Sequence, residues 1–459
     1  MCIRDRVTGQ GGVPAGNVAA VVLNVTVVSP QTAGYITVWP FGIDKTNTSN
    51  LNFQAGQNIP NTVIVPVGTD GKVQLFNGSF GTTHLLVDVT GYTLAGTASG
   101  TVWAWGDGTW GQLGNGGAIG SSVPVQVSGL TEVISIAGSA VSGYALRSDG
   151  TVWAWGSCVN GDATDWSSGY CAAEWLIKGD ADSSVPVQVP GIIGVTAIAS
   201  SRGTAYALRG DGTVWAWGHG SSGALGNGGM ANSAVPVQVS GLTHIIGIAG
   251  GGGSGYALRS DGTVWAWGFG MGGELGNGDW ADSSAPVQVS GLTSITALAG
   301  GESAYALRND GTVWAWGYGI QGELGNGGTI DSSVPVQVSG LSSITAIAAG
   351  SFAGYALQAD GSVQAWGQGA RGTLGNGGTT NSLVPVQVSG LTGVTALAGG
   401  GSMAYAVRAD GTVWAWGNGS SGQLGNRGIA DSSVPVNVSG ISAGSAIAAG
   451  DVTGYAIVR

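Results

Sequence analysis

Charge is what this 459-residue chain has least of. Asp, Glu, Lys and Arg together make up 8% of it, and lysine occurs only as Lys45, Lys72 and Lys178. With a formal net charge of −11, the chain repels polyanions, so nucleic acid and anionic lipid are poor partners. Histidine is equally scarce, limited to His84, His219 and His244. No His-Glu-x-x-His, Cys-x-x-Cys or phosphate-loop string occurs, and a nucleophile–base–acid set built on histidine is not expected. No run of 18 apolar residues exists, since the best stretch, 18–28, is broken by Asn24 and Thr26. A membrane-spanning helix is therefore excluded. No catalytic residue, metal ligand or cofactor site is assigned.

Glycine and apolar residues fill the space that charge leaves: 89 Gly, and 43% of the chain hydrophobic. Disorder needs the opposite composition. Glycine at this density among Val, Thr and Trp predicts short strands joined by tight turns. Residues 1–6 (Met1-Cys-Ile-Arg-Asp-Arg6) resemble translated sequencing-adapter read-through. They are expected to be foreign, with the native N-terminus and any signal peptide missing. Residues 7–96 alternate over 19–28, 35–39, 62–67, 72–76 and 85–89, separated by turn clusters such as Thr69-Asp70-Gly71 and Asn77-Gly78. This predicts a small all-β, sandwich-like domain. The stretches Gly12-Val-Pro-Ala, Val21-Val-Leu-Asn-Val-Thr26, Ser49-Asn-Leu-Asn-Phe53 and Val87-Asp-Val-Thr-Gly-Tyr92 resemble a β domain of secreted proteins from high-GC Gram-positive bacteria. The resemblance implies a secreted or cell-surface location and a truncated first strand.

Residues 97–459 are a repeat array. A Tyr-Ala-Leu-Arg run, an Asp-Gly turn and Thr-Val-Trp-Ala-Trp-Gly recur, with the first aromatic at Trp103, Trp153, Trp215, Trp265, Trp314, Gln364 and Trp414. A period near 50 residues means one supersecondary unit stacked in space. Each unit offers four strands: an Ala/Gly-rich one, Tyr-Ala-Leu, Val-Trp-Ala-Trp, and Val-Pro-Val-Gln-Val. The Asp-Gly dipeptide predicts a two-residue hairpin with both turn positions at positive φ. Proline places the last strand at an outer edge, and the smallest side chains suit a crowded centre. Seven such units make an all-β, seven-bladed β-propeller. The array starts on a Val-Trp-Ala-Trp strand and stops after Gly454-Tyr-Ala-Ile-Val-Arg459. One composite blade, its inner strands C-terminal and its outer strands from 101–128, should close the ring.

The pattern seen in full at Tyr144-Ala-Leu-Arg-Ser-Asp-Gly-Thr-Val-Trp-Ala-Trp-Gly156, with Gly111-Gln-Leu-Gly-Asn-Gly116, resembles the regulator of chromosome condensation repeat. The founding member of that family is a nucleotide exchange factor for a small GTPase on chromatin. This chain departs from it: it carries net negative charge, and Ser142 and Ser303 stand near the place of a frequent family histidine. Exchange activity is therefore not transferred. The resemblance does imply a binding propeller, one version being an inhibitor that caps a secreted enzyme such as a β-lactamase.

Comparing the units isolates what scaffold does not explain. Asp149, Asp211, Asp261, Asp310, Asp360 and Asp410 each occupy a hairpin turn, where Asp bonds locally. Thirteen Trp belong to the repeated strand. Eight large aromatics remain in the array: Trp110, Trp166, Tyr170, Trp175, Phe269, Trp280, Tyr318 and Phe352. In an antiparallel blade the first and third connections open on one face, and all eight fall in those two connections. The residue after Trp-Gly varies too: Asp107, Ser157, His219, Phe269, Tyr318, Gln368, Asn418. These aromatics, with His219 and Met271, form the candidate partner-binding set, because rigid aromatics are the usual anchors of protein interfaces. Exposed Trp and Tyr would equally suit stacking on a glycan or cell-wall polymer. Glu274 and Glu323 are the non-turn carboxylates an enzyme would have to bring together. Cys158 and Cys171 fall in the one irregular repeat, 156–179, which holds a 12-residue insertion. A local disulfide would staple that loop and favour an oxidising compartment, the alternative being that both are reduced and buried. The Asn-x-Ser/Thr sites at Asn24, Asn77 and Asn418 match the glycosylation motif.

Overall fold

The computed structural model describes residues 2–7, 18–41, 49–67, 71–94, 100–156 and 183–459. Two compact units, Met1–Ala98 and Ser99–Arg459, are present. Cys158, Trp166, Tyr170, Cys171 and Trp175 lie outside the described residues.

The first unit has strands β1 (Cys2–Arg6), β2 (Val18–Val28), β3 (Gly34–Pro40), β4 (Leu51–Phe53), β5 (Ile59–Pro66), β6 (Lys72–Asn77) and β7 (His84–Leu94). They form sheets ordered β1-β6-β3-β4 and β5-β2-β7. Alternate residues of β2 (Val21, Leu23, Val25, Val27) share one core with Ile36, Val38, Leu51, Phe53, Val73 and Leu75 of the other sheet. Period-two burial on two facing sheets is the sandwich that the alternation predicts. Cys2–Arg6 pairs with Lys72–Asn77 as an edge strand. Edge pairing uses backbone groups that any sequence supplies.

The second unit holds seven four-stranded antiparallel sheets. In one of them the strands run, from the centre outward, Ile295–Gly300, Ser303–Arg308, Val313–Gly317 and Ser332–Gln337. Each inner strand packs on the inner strands of both neighbouring sheets, and the series closes on itself. The closing sheet is composite, ordered Gly444–Ala449, Thr453–Val458, Thr101–Gly106, Ser121–Gln126. The proline-bearing strand is outermost in every blade, pairing on one side only. At the centre, a Cβ on Gly300 would come within 2.7 Å of the Gly250 carbonyl oxygen, so the inner strands need small residues. Among the described residues there is no α-helix, and 3-10 turns occur at Ser221–Gly223 and Ala370–Gly372.

The two tryptophans of each repeated strand have different jobs. The second (Trp105, Trp155, Trp217, Trp267, Trp316, Trp366, Trp416) is fully buried and meets a tyrosine of the neighbouring blade edge to face, as Trp316 meets Tyr256 at 6.0 Å. Its indole N–H donates across the blade boundary: Trp316 Nε1 to the Glu274 carbonyl at 2.8 Å. The same carbonyl accepts the Tyr256 hydroxyl at 3.1 Å. One carbonyl thus fastens two blades, and the arrangement recurs at Gln112, Ala224, Glu323, Thr373 and Gln423. The first tryptophan also packs against the core shared with the neighbouring blade, as Trp215 and Trp314 do. It is half-buried, and at Trp153, Trp215 and Trp414 an arginine guanidinium stacks over the ring.

The Asp-Gly hairpins differ from the two-residue turn expected. Gly150 N donates to Arg147 O, and Arg147 N to Thr151 O, so three residues form the loop. Only the glycine has positive φ, +78° at Gly150. Asp149 keeps negative φ because its Oδ1 accepts both the Thr151 N–H and the Thr151 hydroxyl, at 3.0 and 2.6 Å. The result is a type I turn with a glycine bulge.

Candidate functional site

The two variable connections of each blade share one face, opposite the Asp-Gly turns. Their backbone is fixed even though their side chains change. The N–H after Trp-Gly donates to the inner connection, as Phe269 N does to Gly253 O at 3.2 Å and Gln368 N to Phe352 O at 2.8 Å. The matching carbonyl accepts a hydroxyl from the second strand, Ser254 to Phe269 O and Ser303 to Tyr318 O, both at 2.6 Å. The outer connection then folds back on itself and reaches the next blade, where Gly278 N donates to Ser333 O at 2.8 Å. Gly276, at φ +62°, lies against the Trp316 indole, where a Cβ would sit 2.8 Å from Cδ1.

On this rigid base the candidate side chains divide. Trp110 (39%) and Trp280 (50%) are exposed, and Met271 (65%) more so. Phe269, Tyr318, Phe352 and His219 are half-buried. The His219 Nδ1 lies 2.8 Å from the Ser221 hydroxyl, and burial lowers its pKa. Counting aromatics missed aliphatic residues: Ile119, Met230, Ile320, Ile330 and Ile429 are also exposed on this face. Met230, Met271, Trp280, Ile320 and Ile330 lie on three consecutive blades, whereas the next blade presents Ala370, Thr379 and Thr380 at corresponding places. Lining up all bulky apolar residues by connection position, rather than aromatics alone, would have found them. Among the described residues the opposite face exposes Ile134, Ile193 and Ile246.

Glu274 and Glu323 do not converge. Each curls back within its own connection, Glu274 Oε2 accepting from Gly272 N at 2.9 Å and Glu323 Oε2 from Gln321 N at 2.8 Å. Gln112 and Gln423 make the same bond in other blades. Ala224 and Thr373 occupy the position in two further blades, so it does not need a charge. Burial pushes the Glu274 carboxyl up to about 7. Asp282, Asp331 and Asp431 similarly accept an N–H from the start of the connection, a bond Asn232 and Asn381 also make. The string Gly440-Ile441-Ser442-Ala443-Gly444 matches a hydrolase nucleophile elbow by letters. It forms the turn between Ser432–Asn437 and Gly444–Ala449, without the helix that motif requires.

Three charged groups escape this interchange of acids and amides. Arg202, Glu302 and Asp451 line a central cavity of about 80 Å³, walled by the glycine-rich ends of the inner strands. Arg202 Nη2 and Glu302 Oε1 are 2.7 Å apart, the arginine side chain 45% exposed and the glutamate 10%. They meet across the all-glycine connection of the intervening blade. A Cβ on Gly252 would be 3.2 Å from Glu302 Oε2. Burial raises the pKa of both Asp451 and Glu302 while Arg202 opposes the rise.

The Regulator of chromosome condensation (RCC1) repeat profile matches residues 99–144, 211–258, 261–306, 310–357, 360–407 and 410–455, more than half of the chain. A second profile of that description matches 394–423. The E3 ubiquitin-protein ligases HERC2 of Homo sapiens and Mus musculus are 33% and 32% identical over 154 residues, 32% of this chain and 3% of theirs. The chain therefore spans a small fraction of those relatives. Human WBSCR16 superposes with a TM-score of 0.67 at 22% identity, covering 78% of this chain and 99% of its own. Prp20p of Saccharomyces cerevisiae, whose binding to Gsp1p and histones is described with its structure, gives 0.67 at 19% identity over 79% and 92%. At these identities the likeness is one of fold.

Proposed function

Given that the chain belongs to the regulator of chromosome condensation repeat family, we propose that it is a non-enzymatic propeller that binds a protein partner through its variable face. The observation that carries this reading is the crescent of exposed Met230, Met271, Trp280, Ile320 and Ile330 on three consecutive blades. Exposed apolar side chains gathered on one rigid face mark association surfaces. Four of these five are aliphatic, which favours a protein over a glycan, because sugars stack on aromatic faces. The absence of enzymatic function is supported by the carboxylates of this face, which serve as backbone acceptors that Asn or Gln replaces elsewhere. A secreted or cell-surface location rests on the resemblance of the first domain and on the cysteine spacing. Inhibition of a secreted enzyme is one form of the same reading.

The test is capture from bacterial culture medium and wall fractions by the full chain and by a Met271→Ser, Trp280→Ser, Ile320→Ser triple variant. The unaltered chain should retain a protein that the variant loses, with both melting at similar temperature. Equal recovery by the two would place binding elsewhere, and retention of wall polymer alone would favour the glycan reading.

A further inference from the structure

The position that Glu274 fills is buried in all six described connections, and four of them place a neutral residue there: Gln112, Ala224, Thr373 and Gln423. The spot offers nothing to a second polar atom. Among the described residues the Nε2 groups of Gln112 and Gln423 are buried without a hydrogen-bond partner. Glu274 puts a carboxyl in the same place. It is fully buried, its Oε2 accepts the Gly272 N–H at 2.9 Å, and its Oε1 has no partner among the described residues. The scaffold tolerates a neutral amide there twice, and a carboxyl is neutral only with its proton bound.

The cover over this spot comes from the next blade. A Cβ on Gly272 would sit 2.5 Å from Glu274 Oε1 and 2.7 Å from Tyr318 Cε2, so the half-buried tyrosine ring lies on bare glycine beside the enclosed carboxyl. At the following boundary Gln321 replaces that glycine and Gln368 the tyrosine, their amides joined at 2.6 Å. The titratable groups that bear on Glu274 are Glu302, Asp282, Tyr256 and Tyr318. None of them supplies a countercharge, and the guanidinium of Arg202 is paired with Glu302. Burial, with these acids around it, pushes the Glu274 carboxyl up to about 7.

We propose that Glu274 and Tyr318 form a proton-controlled latch on the variable face. With Glu274 protonated, the ring lies closed on Gly272; ionisation swings the carboxylate out past the displaced ring. The Glu274 main chain stays in place, because its carbonyl still receives Trp316 and Tyr256 across the blade boundary. Gly272 loses the acceptor of its N–H. Exposed Met271 is the preceding residue, so a partner seated on the crescent would bind more tightly below pH 5 than above pH 7. That corollary alone rests on the binding-face reading. A proton held in the closed state and released in the open one fixes the sign. Opening rises about tenfold per pH unit from the ordinary glutamate value, about 4.3, to the closed-state value, and levels off above it.

The test is hydrogen exchange by mass spectrometry on the full chain at pH 5, 6, 7 and 8, corrected for the intrinsic pH dependence of exchange. Protection of residues 270–275 should fall about tenfold per unit from pH 5 to pH 7 and then level off. Residues 419–425, whose connection carries Gln423, should keep theirs. Glu274→Gln should remove the dependence, and the fold accepts glutamine at this position in two other blades. Tyr318→Ala should remove it too, by admitting water to the carboxyl, while Tyr318→Phe retains it. The latch is overturned if 270–275 shows no pH dependence, or if 419–425 loses protection in step. It is equally overturned if Glu274→Gln or Tyr318→Ala leaves the dependence intact. No partner enters the experiment, so such a failure leaves the binding face standing, to be judged by the capture experiment above.

Discussion

On the face that carries the Asp-Gly hairpins, the six blades that have one repeat the same bonds. Each turn aspartate takes the N–H and hydroxyl of the residue two places on, as Asp261 does from Thr263 at 3.0 and 2.6 Å. Those bonds hold its carboxyl below the ordinary carboxylate range. On the other face the polar groups are less completely served. Glu274 is fully buried, and its Oε1 has no hydrogen-bond partner among the described residues. Burial has moved its carboxyl the opposite way. The two faces therefore respond to pH with opposite signs. A turn aspartate, with lowered folded pKa, adds stability above about pH 3.9 that is lost as pH falls through the folded value. Glu274, with raised folded pKa, favours the fold while protonated, and that contribution is lost as pH rises towards about 7. Recurrence goes with local satisfaction; departure from it goes with groups left for something else.

The largest expected effect comes from cutting what both faces stand on. Trp316→Ala removes a buried indole and a cross-blade hydrogen bond, and should cost about 3–5 kcal/mol in urea unfolding. Trp267→Ala should match it; a large difference between the two would mean the blades are not equivalent supports. Next, Glu274→Gln installs what Gln112 and Gln423 already do. It should stabilise the protein by on the order of 2 kcal/mol at pH 8 and by nothing measurable at pH 4. A pH-independent gain would remove the contrast between the faces. The smallest effect is on the turn face, where one blade alone has Gln358 bonded to Gln364 at 3.0 Å in place of the stacked Arg and Trp. Gln358→Arg with Gln364→Trp should gain about 0.5–1 kcal/mol as a pair, and less than the sum would require when either is made alone.

The ring was legible in the sequence because its period, its proline-bearing edge strand and its unpaired final hairpin are all local signals. The turn type was not. Asp-Gly suits a two-residue hairpin, but Thr at the second place beyond Asp offers the carboxylate two donors, and those bonds settle the conformation. The site was half legible. Trp110, Trp280 and Met271 are exposed as their position implies, while Phe269, Tyr318 and Phe352 are half-covered by the connections that carry them. Ile320 and Ile330 drew no attention because isoleucine in a Val-rich chain looks like core. Arg202, Glu302 and Asp451 lie about 100 and 150 residues apart, and only the closed ring makes them neighbours.

Ring closure has a consequence in time. The strand Thr101–Gly106 pairs with Thr453–Val458, and the Thr101 hydroxyl meets a carbonyl 357 residues further along the chain. At synthesis rates of about 5–20 residues per second, that first strand waits roughly 20–70 s with one edge bare. An unpaired strand edge invites pairing with other chains. The nascent protein thus passes through a long vulnerable interval, in which shielding of residues 101–106 governs how much of it reaches the closed ring.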